Sequence, residues 1–167
     1  MLSRVKAPGS GEPRNFRVYL LVLAFVIGAL QLIPAPKGFQ EPKPESADPK
    51  QSIDADADMP PTVRAIFRRS CYDCHSNTTT WPWYSRVAPL SWWIYKHVSD
   101  GRDKLDFSQW SHLRDANGHV MQSESRLDDI CDDVKDGSMP LKSYLPLHPS
   151  ARLSKEDVAA ICKWTGN

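Results

Sequence analysis

The most chemistry in the least space along this chain lies in Cys71-Tyr72-Asp73-Cys74-His75. Two cysteines three positions apart on a turn of helix reach two vinyl groups on one edge of a porphyrin, and the adjacent histidine points its imidazole at the metal. C-x-x-C-H is the arrangement in which both thiols add to haem vinyls and the histidine binds the iron. Cys71 and Cys74 are therefore the expected attachment points of haem c, and His75 the expected proximal iron ligand. Two other chemistries use the same residue types. A C-x-x-C redox pair needs a preceding strand in a βαβ setting, whereas Val63 to Ser70 reads as a short helix with Val63, Ile66 and Phe67 on one side. A structural zinc site needs a second close-spaced pair, and the remaining cysteines, Cys131 and Cys162, stand thirty-one positions apart.

The iron's sixth position decides the chemistry, since a second strong ligand suits electron transfer and an open position suits gas binding or peroxide reactions. Met139 is the leading candidate. It follows His75 by sixty-four residues, in Gly137-Ser138-Met139-Pro140, where a loop stiffened by proline holds a thioether over a porphyrin. His/Met ligation raises the reduction potential relative to two histidines. The competing reading is a methionine that fills a gap in the core. His97 and His148 are further possible ligands. Met59, in a proline-rich stretch, and Met121, in a polar loop, are weaker ones. His112 and His119 flank the turn signal Asn117-Gly118 and read as solvated.

The elements that must position these residues are helices. From Ser123, a capping residue, Leu127, Ile130, Cys131 and Val134 recur at helical spacing as far as Gly137. Ser154 caps a last helix with Glu156 and Asp157 in its first turn, Val158, Ile161 and Cys162 on one side and Gly166 at its end; this helix should pack across the one leading into Cys71. Pro89 to Val98 reads as another helix, carrying Trp92, Trp93 and Tyr95. With no strand pattern of comparable length, the fold class is all-α. Cys131 and Cys162 both fall on apolar helix faces, which leaves two outcomes, a disulfide in an oxidising compartment or two buried thiols. Trp81, Trp83 and Tyr84 either wall a haem edge or belong to an ordinary aromatic core. Arg86 and Arg102 are candidate partners for haem propionates, because guanidinium suits carboxylate; plain surface arginines are the alternative.

Upstream, residues 1–17 carry four basic and one acidic side chain, a net +3. Val18 to Ile33 is then broken only by Gly28 and Gln31. This pattern predicts a basic cytoplasmic N-terminus (1–17), a transmembrane signal anchor (18–34), a proline-rich flexible linker (35–61) and a haem-binding domain (62–167). Sixteen residues rise only about 24 Å as a helix, short of a hydrocarbon core of roughly 30 Å, so flanking Phe16, Tyr19 and Arg17 would have to help. A cleaved signal peptide is the alternative. Residues 34–61 hold seven prolines and a net charge of −3, from three lysines against six acids, and read as a disordered tether. Residues 62–167 hold fourteen basic and thirteen acidic groups, so no region reads as a nucleic-acid binder. A domain of about a hundred residues with few long aliphatic runs gains from an apolar cofactor at its centre.

The segments CYDCHSNTTTWPWYSRVAPLSWW (71–93), DGRDKLDFSQW (100–110), KDGSMPLKSYLPLHPSARLSKED (135–157) and Trp164 resemble the bacterial haem-binding domain proteins related to class I cytochromes c. The resemblance implies a small cytochrome c-like monohaem domain with His75 proximal and Met139 distal. It differs from a simple cytochrome c in the stretched middle from Trp81 to Asn117. The expected protein is a membrane-anchored c-type cytochrome moving one electron between unidentified partners in the periplasm, single-pass in a bacterial inner membrane. The alternative is a haem-based peroxidase-like enzyme or a gas or redox sensor. No carboxylate pair, nucleophile triad or phosphate loop marks an enzyme, so an electron carrier is the preferred reading.

Overall fold

The computed structural model describes residues 15–42, 48–113 and 123–166, and among these every regular element is helical. His119, Met121 and the Asn117-Gly118 turn lie outside the described residues, as do the side chains of His112 and Ser123. Six α-helices are present: α1 (Phe16–Leu30), α2 (Pro61–Ser70), α3 (Tyr72–His75), α4 (Leu90–Lys104), α5 (Ser123–Lys135) and α6 (Lys155–Thr165), joined by short 3-10 turns.

α2 begins on Pro61, where a proline costs no helical hydrogen bond, and buries Val63, Ile66 and Phe67 along one side. α5 turns Ile130, Cys131 and Val134 inward and is followed by Gly137 in the left-handed region at φ 74°. α6 starts on a capping box: the Ser154 hydroxyl accepts from the Asp157 N–H while the Asp157 carboxylate accepts from the Ser154 N–H. It ends on Gly166 at φ 92°, a conformation glycine takes without steric cost. The Cys131–Cys162 disulfide joins α5 to α6, which decides between the two outcomes the sequence left open.

The core forms where α2, α5 and α6 meet the 3-10 segment Phe107–Leu113. Phe67 is its centre, stacked on Phe107 at 5.1 Å and meeting Trp164 edge-on at 5.5 Å. Each large side chain buried this way contributes roughly 1.5–3 kcal/mol.

Three features differ from the sequence expectations. First, the proline-rich stretch is not a plain tether throughout. Ile53 and Met59 are fully inside the core, so Met59 fills core space and the packed domain begins before Thr62. The acids between them hold this strap in place: Asp54 accepts from the Tyr72 hydroxyl at 2.9 Å, Asp56 accepts from the Trp110 indole N–H at 2.9 Å, and Arg64 donates to the carbonyls of both. Second, α4 continues six residues past Val98 but buries only Ser91 and Val98. Third, the helix expected over 18–34 is shorter than a membrane span. α1 stops at Leu30 and is fifteen residues, about 22 Å; among the described residues no helix is long and apolar enough to cross a membrane. Residues 31–33 leave the helix as a turn, and Gln31 clasps the chain before α4, its amide donating to the Ala88 carbonyl at 3.1 Å while its oxygen accepts from the Ala88 N–H at 3.0 Å.

Candidate haem site

Cys71 stands between α2 and α3, with its N–H donating to the Phe67 carbonyl. Its own carbonyl accepts from the N–H groups of both Cys74 (3.2 Å) and His75 (3.0 Å), which winds the motif into one tight turn. The three motif side chains are thereby brought together by local structure. Gly101 of α4 passes directly behind this turn: a Cβ there would lie 2.8 Å from the Cys74 carbonyl oxygen, so only glycine admits this approach.

His75 is oriented by its surroundings. Nδ1 lies 2.9 Å from the Leu105 carbonyl, just past the end of α4. A carbonyl only accepts, so Nδ1 carries the proton and Nε2 keeps its lone pair, the tautomer a metal-binding imidazole needs. Phe107 packs against the ring at 5.6 Å. Burial lowers the imidazole's pKa, opposed by the Leu105 and Gly101 backbone carbonyls and by the nearby charges of Asp133 and Asp106.

The two motif cysteines are half-buried free thiols. Burial and the neighbouring Cys74 push the Cys71 thiol up to about 12; burial and Asp73 push Cys74 up to about 11, with Arg102 pulling the other way. A redox C-x-x-C pair has a depressed thiol and a strand before it; this pair has raised thiols and follows a helix. Zinc is disfavoured by the partners as well, because Cys131 and Cys162 are spent on each other, and among the described residues no cluster of three metal-ligating side chains occurs.

Met139 lies half-buried in the loop after α5, which is pinned at its base: the Met139 N–H donates to the Asp133 carbonyl at 3.0 Å, and the Ser138 hydroxyl donates to the Asp133 carboxylate at 2.8 Å. Further along the same loop, the Tyr144 hydroxyl donates to Asp73 Oδ2 at 2.6 Å, inside the C-x-x-C-H turn. Burial and this hydrogen bond raise the Tyr144 phenol, so it remains a donor. His148 is removed as an iron ligand because both ring nitrogens are engaged, Nδ1 with the Tyr144 carbonyl at 3.1 Å and Nε2 with the Tyr84 hydroxyl at 3.2 Å. His97 lies on the surface of α4, its ring against Trp93 and its Nδ1 donating to the Trp93 carbonyl.

The remaining candidates divide. Arg102 is half-buried, donates to the Thr79 hydroxyl at 2.9 Å and acts on Cys74, whereas Arg86 is exposed. Trp81 meets Tyr95 edge-on at 5.3 Å, but Trp83 is 79% exposed, which removes it from any ordinary core. Sequence reasoning passed over Gly101, Leu105, Asp73 and Tyr144. An isolated glycine within a helical pattern was the readable sign for Gly101; Leu105 acts through its backbone carbonyl, which no side-chain pattern marks.

Two thiols on one turn, an imidazole with its metal-binding nitrogen preset and a methionine loop fastened to that turn are a donor set suited to a porphyrin iron, and an all-helical domain with this site is a haem-binding protein. The chain belongs to the haem-binding domain family, whose model matches residues 25–167. No curated protein and no solved structure matches it.

Proposed function

We propose that this protein is a c-type cytochrome carrying one covalent haem and passing single electrons between redox partners outside the cytoplasm. The observation that carries this reading is the hydrogen bond from His75 Nδ1 to the Leu105 carbonyl, which serves a metal ligand and has no evident use in a thiol redox module. Cys71 and Cys74 are the residues that would hold the group covalently, through thioether bonds from their two thiols to its vinyl substituents. The haem iron, when bound, supplies a one-electron couple. His75 and Met139 would supply nitrogen and sulfur to the iron, and Arg102 would offer a positive charge to a propionate. Phe107 shields the imidazole from water. The apolar surface of α1, exposed except at Leu30 and following a basic stretch of sequence, supports anchoring in a bacterial inner membrane with the haem domain in the periplasm, where the partners would be other redox proteins.

In a second reading, the thioether is labile and the open iron serves a peroxidase-like or gas- or redox-sensing role. Protein made in a host competent for c-type maturation distinguishes the readings. The wild type should give a haem-stained band on a denaturing gel and the Cys71→Ser/Cys74→Ser variant none; an unstained wild type defeats covalent attachment. A low-spin ferric spectrum with a sulfur-to-iron charge-transfer band that Met139→Ala abolishes supports the electron carrier. High-spin ferric haem with rapid carbon monoxide binding on reduction supports the alternative.

A further inference from the structure

The Tyr144–Asp73 hydrogen bond is not needed to make the haem turn or to close the core. α3 is wound by its own backbone bonds, and Tyr144 lies outside the buried cluster. What the bond does is join two segments seventy-one residues apart, the turn that holds both cysteines and the loop that holds Met139.

Its two partners are themselves braced. Asp73 Oδ1 accepts from the Thr80 N–H at 2.9 Å, and the Asp73 carbonyl accepts from the Thr79 hydroxyl at 2.8 Å, so the carboxylate is held in one orientation. The Tyr144 ring stacks on His148 at 3.8 Å with planes 9° apart, and His148 is in turn bonded to Tyr84. The loop between Met139 and Tyr144 therefore has two fixed ends, Asp133 on one side and Asp73 on the other.

We infer that Tyr144 and Asp73 form a latch that positions the Met139 loop against the haem turn and so sets how firmly the sixth coordination position is held. This rests on the haem reading above. A phenol donating to a carboxylate is a charge-assisted bond of the stronger kind. Releasing it lets the loop swing about its Asp133 end, and the population with an open iron rises. Tyr144 is a positioning residue here: it acts on the iron through Met139.

The test uses full-length holoprotein with Tyr144→Phe, which removes one hydroxyl and keeps the ring that stacks on His148, and Asp73→Asn as an independent break of the same bond. Both should keep covalent haem and helical content, weaken the sulfur-to-iron band, lower the reduction potential and speed carbon monoxide binding to the reduced protein roughly tenfold or more, the scale of a hydrogen bond to a charged acceptor. The double variant should add nothing beyond either single one, and in a Met139→Ala background Tyr144→Phe should leave the carbon monoxide rate unchanged. A wild type that shows the band together with an unaltered Tyr144→Phe overturns the latch alone. Additive effects in the double variant, or an effect that survives in the Met139→Ala background, also overturn it. A wild type without the band overturns Met139 ligation and the latch with it. If Tyr144→Phe fails to fold, Asp73→Asn carries the same outcomes.

Discussion

The two halves of the domain are built on different terms. Around Phe67, the helices α2, α5 and α6 bury Val63, Ile66, Ile130, Val134 and Ile161, close a disulfide and bring Phe67 and Trp164 against Phe107 and Trp110 of the 3-10 segment. Around Cys74, α3 buries only Tyr72, α4 buries only Ser91 and Val98, and Trp83, Trp93 and Leu147 stand 79%, 44% and 63% exposed. The first half is stabilised by its own side chains. The second is held by polar links, His75 to Leu105, Arg102 to Thr79 and Tyr144 to Asp73, and leaves apolar surface that a planar apolar cofactor would cover. A core that folds without the cofactor can present a site that is completed by it.

The contrast makes graded predictions. The largest concerns the self-sufficient half: Phe67→Ala should cost about 3–5 kcal/mol in both haem-free and haem-loaded protein, measured by denaturant unfolding. If the loss is confined to the haem-loaded form, the core depends on the cofactor and the contrast breaks. Replacing Cys131 and Cys162 by serine opens a link across thirty-one positions and should cost roughly 3–4 kcal/mol, again without regard to haem, with a lower thermal midpoint as the readout.

Gly101→Ala tests the site half. The added Cβ meets the Cys74 carbonyl, an overpacking cost of about 1–3 kcal/mol partly offset by alanine's better helix propensity of about 1 kcal/mol. Haem content per chain should fall while the haem-free protein loses no more than about 2 kcal/mol; a larger loss in the haem-free form would show that α4 belongs to the core after all.

A smaller effect is expected at the start of α6. Burial alone would raise the Asp157 carboxyl, but its bonds to Ser154 and Arg69 outweigh that and hold it below its ordinary value. A depressed folded pKa means stability that is present above the unfolded carboxylate value and is lost as the pH falls through the folded one. Asp157→Asn should therefore be less stable than wild type by about 1 kcal/mol at neutral pH, and the gap should close only at pH below the ordinary aspartate range. A gap that closes nearer neutrality would assign the effect to another group. The smallest change is Trp83→Ala, within about 0.5 kcal/mol for so exposed a side chain in haem-free protein.

Much of this was legible in the order of residues. Helical periodicity and terminal glycine marked α5 and α6, and a capping serine marked the start of α6, because these signals are local and each lies within a turn or two of the element it ends. The C-x-x-C-H turn was equally local, since its geometry needs only its own backbone. Ile53 and Met59 were misread as tether because a proline-rich setting lowers the apparent hydrophobicity of a segment that is short but buried. The basic-then-apolar pattern at the N-terminus implied a spanning helix, and the helix formed ends at Leu30, where Gln31 turns to bond Ala88.

The sequence by itself determined an all-helical chain with two thiols and an imidazole on one turn, because helix spacing and motif spacing are properties of neighbours along the backbone. Only the tertiary structure decided that Cys131 pairs with Cys162, that the His75 Nδ1–H donates to the Leu105 carbonyl, that His148 Nε2 is occupied by Tyr84, and that Asp73 reaches the Met139 loop. Each of these joins residues thirty or more positions apart, and such pairs meet through packing of whole helices, which no local pattern encodes.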